Sequence, residues 1–369
     1  MSAKKLVGIY LFKLLLVMVV SYLATKIIPY LGFFPYKNFL DKYQLPEFIR
    51  SLANFDGVHY LLIAKNGYSQ YEQAFFPMYP FLIRLLASFL GENGLLAGLL
   101  ISNLSLVLAL WVFVKTFAQP KTDKWLLLFL LAFPTAFYFH AVYTESLFFL
   151  LVVLTFYYCQ KQKLGWASLF GFLAALTRLM GLFLFIPIFL TALKKGDKKQ
   201  WFFSLAPVLS LVVYMFYLYQ TTGDPLFFFT SQSVFGEARS TNIILLPQVY
   251  FRYLKIFLTA NWSFAYFVAI LEITFFSACL VVLLFDLKNQ LKKYQPNLLA
   301  LNLFSLINII LPTLTGSFLS VPRFVILSLS FFVYLSNLKH KLLKIGLIVG
   351  FSLGQAILLS FFIQGYFIS

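Results

Sequence analysis

The chain has 369 residues, of which 61% are hydrophobic and only 11% charged, and its formal net charge is +17. A mean hydropathy of +0.87 excludes an ordinary soluble globule. Apolar residues fall in continuous runs rather than period-two alternation, which excludes a transmembrane β-barrel and points to an all-α, polytopic membrane bundle.

The first apolar run, 6–25, follows Lys4 and Lys5. It is too long for a signal-peptide core and lacks a small-residue cleavage site, so it is expected to stay as the first span. Ten more runs follow, at 94–114, 125–139, 145–160, 164–177, 179–193, 201–220, 262–285, 297–315, 323–338 and 345–365. The spacing therefore predicts about 11 transmembrane helices in a single domain, 1–369, with no internal repeat. Lysines cluster in alternate connections: Lys115, Lys121 and Lys124; Lys161 and Lys163; Lys194, Lys195, Lys198 and Lys199; Lys288, Lys292 and Lys293; Lys339, Lys341 and Lys344. The positive-inside rule makes these loops cytoplasmic, and they account for the net charge without a nucleic-acid partner. The stretch 164–193 is split near Arg178, because a single span there would place the later lysines outside.

The opposite, outer loops are then 26–93, 140–144, about 178, 221–261 and 316–322. All six arginines lie outside the lysine clusters: Arg50, Arg84, Arg178, Arg239, Arg252 and Arg323. Most acids share the outer side, namely Asp41, Glu47, Asp56, Glu72, Glu92, Glu145, Asp224 and Glu237. Arginine presents a planar fork suited to phosphate or carboxylate, whereas lysine is a flexible point charge. Interfacial snorkelling is the plainer reading for Arg50 and Arg252. Polar chemistry is therefore expected on one, non-cytoplasmic, side. Glu272 lies well inside a span and is expected to face a protein interior or cavity. Cys159 and Cys279 read as buried thiols.

The first outer loop carries FDGVHYLLIAKNGYSQYEQAFFPMYP at 55–80. Asp56, His59 and Tyr60 fall at i, i+3 and i+4 of an interfacial helix and share a face. Glu72 follows, and Tyr79 sits in a run whose two prolines force a rigid return to the membrane. Residues 133–146, FPTAFYFHAVYTES, read as a short outer hairpin. There His140 and Glu145 either cap the next helix or serve a site. Arg178 interrupts an apolar stretch and needs an anionic partner or a phosphate. Arg323 follows Pro322 at the outer surface, a placement suited to a lipid-linked phosphate. Gly223-Asp224-Pro225 is a turn signal. No nucleotide-binding loop or HExxH is present, and Asp and His are too few in close spacing for a metal site. Neither metal nor cofactor is expected.

The segments FDGVHYL-x-IA-x-x-GY with E-x-AFFP-x-YP, PTAFYFHAVYTESLF (134–148), LTRLMGL (176–182), TGDPLFF (222–228) and VPRF (321–324) together resemble the PIG-V family. That family contains the mannosyltransferase adding the second mannose in GPI-anchor assembly, with prokaryotic relatives of unassigned acceptor. Phe55 departs from the Trp more usual before the Asp, but an aromatic is kept. The resemblance implies a GT-C-type glycosyltransferase fold. It also implies a polyprenyl (dolichyl or undecaprenyl) phosphate sugar donor and a catalytic carboxylate in the first outer loop, which falls on Asp56.

The expected reaction is inverting transfer of a hexose, mannose by resemblance, to a glycan or glycolipid acceptor. Asp56 is the expected general base, and Arg323 and Arg178 bind the donor phosphate. His59, Glu72, Tyr79, His140 and Glu145 position the base or the acceptor. A single carboxylate suffices, because the departing phosphate is a stable anion and needs no general acid. The expected location is a bacterial or archaeal plasma membrane, or the endoplasmic reticulum in a eukaryote. Membrane lipids surround the chain, and its oligomeric state is open. Two other classes stay open at this point: a lipid-linked sugar flippase or transporter, and a non-catalytic scaffold member of the family.

Overall fold

The computed structural model describes residues 2–31, 37–119, 121–196, 198–231, 240, 242–293 and 295–368. Among them the fold is all-helical, with no strand. Arg239 and Glu237, expected on the outer side, lie outside the described residues. The α-helices in chain order are α1 Ala3–Ile27, α2 Lys37–Asp41, α3 Glu47–Arg50, α4 Asp56–Asn66, α5 Met78–Ala87 and α6 Gly94–Phe117. Next come α7 Asp123–Ala132, α8 Glu145–Gln160, α9 Leu164–Ala175, α10 Phe185–Lys195, α11 Ala206–Thr222 and α12 Phe227–Thr230. The last third holds α13 Leu246–Thr259, α14 Phe264–Lys293, α15 Pro296–Thr313, α16 Val321–Val325, α17 Leu329–Ser336 and α18 Lys341–Ile363.

Among the described residues, six helical stretches are long and apolar enough to cross a membrane: Ala3–Ile27, Gly94–Phe117, Lys198–Thr222, Phe264–Lys293, Pro296–Thr313 and Lys341–Ile363. The chain is thus a helical membrane protein. Local chemistry sets several of their ends. Asn93 Oδ1 accepts the Leu96 N–H at 3.0 Å to start α6. Prolines open α11, α13 and α15, where a missing N–H costs nothing. The turn at Gly223 has φ 77°, the left-handed conformation that glycine accepts without strain. The stretch 164–193 breaks between α9 and a 3-10 segment at Leu179–Leu184, with Arg178 in extended conformation at the break.

The apolar runs 125–139 and 323–338 do not become single helices. In run 125–139, Pro134 stops α7 after 10 residues, about 15 Å at 1.5 Å per residue and half of a hydrocarbon core. Run 323–338 divides into α16 and α17, and Asn308 Nδ2 bridges the break by donating to Phe324 O (2.7 Å) and Ser328 Oγ (3.0 Å). Irregular backbone at membrane depth survives only where protein groups satisfy it.

The expected outer hairpin at 133–146 is not a surface feature. Residues 129–149 are buried without a break. Partners from all over the chain absorb most of their polar groups, His140 Nε2 and Glu145 Oε2 being exceptions. Leu52 O accepts the Val142 N–H at 3.0 Å. Thr135 Oγ1 donates to Pro322 O at 2.7 Å and Tyr143 OH to Asn54 O at 2.7 Å. Gln355 Nε2 donates to Phe133 O at 2.8 Å. A Pro-interrupted segment this apolar is cheaper to bury than to expose, provided each polar atom finds a partner. It becomes the hub on which the first loop, α16 and the end of α18 converge. Glu272 is also buried, and Tyr253 OH donates to its Oε2 while accepting from Phe318 N–H at 3.0 Å.

Candidate active site

Asp56 opens α4 behind a strained residue. Phe55 has φ 60° and ψ −118°, a conformation that costs a non-glycine residue about 1–3 kcal/mol. Its neighbours hold it there. The Phe55 ring packs on Phe362 and Phe367 at centroid distances of 5.7 and 5.3 Å. Asn54 Nδ2 donates to Phe362 O at 2.9 Å and to Ile363 O at 3.2 Å. The strain turns the Asp56 carboxylate toward Arg323.

Arg323 is the centre of the site. Its Nη1 donates to Asp56 Oδ2 at 2.7 Å, while Nη2 and Nε both donate to Glu145 Oε1 at 2.9 and 3.1 Å. The same Oε1 accepts from Arg178 Nη1 at 2.8 Å, and that nitrogen also donates to Thr144 Oγ1 at 3.1 Å. Four segments far apart in sequence, each expected on the same side of the membrane, meet at this point. Two carboxylates and two guanidiniums cancel in charge, which makes their burial tolerable. Exposure is uneven: the Glu145 side chain is 0% exposed, Arg323 8% and Arg178 13%, but Asp56 is 28% exposed. Only one face of the cluster therefore meets anything that enters, and Asp56 forms it.

Aromatic rings line the cations. The Arg323 guanidinium lies over Tyr138 and Tyr143 at 4.9 and 4.7 Å from their centroids. Arg178 lies over Phe324 at 5.0 Å. These contacts supply cation–π attraction where water is excluded. Beside them burial, and then the Asp56 and Glu145 carboxylates, push the Tyr60 hydroxyl up and keep it protonated.

Thr144 makes no side-chain cap bond at the start of α8. Glu145, open between a capping and a site role in the sequence, faces the two arginines. Gly181 seats Arg178: a Cβ there would lie 2.4 Å from the Ala174 carbonyl carbon and the Ala175 nitrogen. The break after α9 can pack this tightly only with glycine.

His59 and Glu72 form a second pair. His59 Nδ1 lies 3.1 Å from Glu72 Oε1, and Glu72 Oε2 accepts the Ser69 N–H at 2.9 Å. The imidazole stacks on Phe75 at 5.1 Å. Asp56 and His59 share a face of α4 as expected, but Tyr60 is buried against Phe75, Tyr79 and Tyr143. Tyr79 is fully buried, with its hydroxyl 2.8 Å from Ser102 Oγ and donating to Gly98 O at 3.1 Å. It ties α5 to α6 and does not reach the open face. His140 is drawn the other way: its Nδ1 donates to Asn103 Oδ1 at 2.8 Å and its ring stacks on Tyr10.

Tyr138 and the strain at Phe55 were not legible as site features, since one looks like any membrane aromatic and the other has no local sequence signal. Among the described residues, no group of three His, Cys, Asp or Glu draws together.

The Mannosyltransferase (PIG-V) family profile matches residues 7–194, more than half of the chain. No curated protein matches the chain. The chain belongs to the PIG-V mannosyltransferase family, and it is a glycosyltransferase.

Proposed function

We propose that this glycosyltransferase moves mannose from a polyprenyl-phosphate carrier to a glycan or glycolipid acceptor at the non-cytoplasmic face, with inversion. Asp56 takes the proton from the acceptor hydroxyl as that oxygen attacks the anomeric carbon. The carrier phosphate leaves as a stable anion. Arg323, seconded by Arg178, receives that charge in a site that already excludes water. Glu145 sets the two guanidiniums. The His59–Glu72 pair shapes the acceptor side, while Tyr79 and His140 act from behind by fixing α5 and the 136–144 segment.

The chain is one domain over 1–369, with about eleven membrane passages, some made of broken helices. The short helices of the first loop lie along the interface. The observation that carries this reading is the Asp56 carboxylate: it is 28% exposed in an otherwise buried charge cluster, behind a strained Phe55. Strain and a partly open charge both cost stability, and both are useful where a group must meet substrate.

The test is transfer from radiolabelled polyprenyl-phosphate mannose to a panel of glycolipid acceptors, comparing wild type with Asp56→Asn. Label should pass to an acceptor only with wild type, and the product linkage should show an inverted anomeric centre. Asp56→Asn turnover close to wild type would refute the assignment.

A further inference from the structure

The resting geometry makes Asp56 a poor base. A guanidinium nitrogen 2.7 Å from Oδ2 favours the charged carboxylate over the protonated one. A useful general base needs a proton affinity closer to neutrality. The rest of the cluster supplies a means of release. Arg323 uses two other nitrogens, Nε and Nη2, on Glu145, so the guanidinium stays anchored when Nη1 lets go. That anchorage is lopsided. Both nitrogens, and Arg178 too, crowd onto Oε1, while Glu145 Oε2 is buried with no hydrogen-bond partner. A small in-plane turn of the guanidinium would use the idle oxygen and convert the contact to a bidentate pair, the stronger arrangement.

We propose that Arg323 is handed from Asp56 to the phosphate of the incoming donor, so that donor binding itself frees the base, with Glu145 as the positioning residue that holds the guanidinium through the transfer. The proposal rests on the reading of Asp56 as base and of a polyprenyl phosphate as donor. Nη1 leaves Asp56 for a phosphate oxygen, and the Asp56 carboxylate gives up its bond to that guanidinium. The acceptor O–H proton then passes to Asp56 as the oxygen–carbon bond forms. The bond from the anomeric carbon to the phosphate oxygen breaks, and its electron pair departs on the carrier phosphate. When that phosphate leaves, Arg323 returns to Asp56 and drives the proton out to water. The device imposes an order, donor before acceptor, and keeps the base inactive in a site without donor.

The test is a double-mutant cycle on binding of undecaprenyl phosphate, the spent carrier, to the purified full-length protein in detergent. The proteins are wild type, Asp56→Asn, Arg323→Gln and the double variant. If Asp56 and phosphate compete for Arg323, Asp56→Asn tightens binding about tenfold, and the same change tightens it less than about twofold in the Arg323→Gln background. Equal tightening in both backgrounds is plain charge repulsion; it overturns the hand-over and leaves the donor reading standing. Absence of binding by all four proteins overturns both. Should Arg323→Gln fail to fold, Arg323→Lys replaces it, because one ammonium cannot serve Glu145 and phosphate together. The same loss of the Asp56→Asn effect is expected there, and its persistence overturns the proposal.

Discussion

Glu145→Gln separates the structural from the chemical part of the site. The carboxylate is fully buried, and its Oε1 accepts three N–H bonds at 2.8, 2.9 and 3.1 Å. Glutamine keeps the shape and an acceptor oxygen, and its new NH2 group occupies the Oε2 position, which has no partner to offend. What it removes is charge. The three guanidinium N–H bonds that ran to an anion then run to a neutral amide oxygen and lose their ion-pair component. The buried cluster also changes from neutral to one net positive charge. Removing one partner of a buried ion pair costs about 3–5 kcal/mol, which is the expected loss. Unfolding by SDS titration in mixed micelles measures the difference. Asp56→Asn, at a position 28% exposed and so partly solvated, is expected to cost only about 1 kcal/mol in the same assay. Glu145→Gln should therefore be the less stable of the two. A Glu145→Gln protein within about 0.5 kcal/mol of wild type would refute the view that the carboxylate charge holds the two arginines.

For Asp56→Asn the expected outcome is a fall in transfer of about 10²–10⁴, the span of general-base catalysis, with normal expression. Asp56→Glu should recover little, since displacing the carboxylate by about 1 Å costs around a hundredfold. Gly181→Ala forces a methyl carbon within 2.4 Å of the α9 backbone. It should destabilise by about 1–3 kcal/mol and depress transfer through a displaced Arg178, seen as a loss in both thermal stability and kcat. Tyr143→Phe removes the bond to Asn54 O (2.7 Å) and strands a buried carbonyl. It should cost about 1–3 kcal/mol while the ring continues to line Arg323, so kcat should fall less than stability does.

The resemblance and the one-sided arginines pointed to Asp56, Arg178 and Arg323, and the structure brings these three together with Glu145. The pairing among them was not legible. Asp56 and Arg323 are separated by 267 positions, and Glu145 and Arg323 by 178. No local period or spacing encodes a contact at that range. His140 and Tyr79 looked equivalent to Glu145 as polar groups in greasy segments, yet each turns to α6, at Asn103 and Ser102. Which way a buried polar side chain turns depends on the partner that packing offers it.

The sequence by itself determined the helical membrane class, the break at Arg178, and which loops carry lysine. These follow from sums over neighbouring residues, such as transfer free energy along a run. Only the tertiary structure decided that residues 129–149 form a buried hub rather than an exposed hairpin. It alone decided that both arginines of the site are held by carboxylates. Burial at that depth admits a charge only with its opposite at hand, and the opposite is supplied by whichever distant segment the fold brings there.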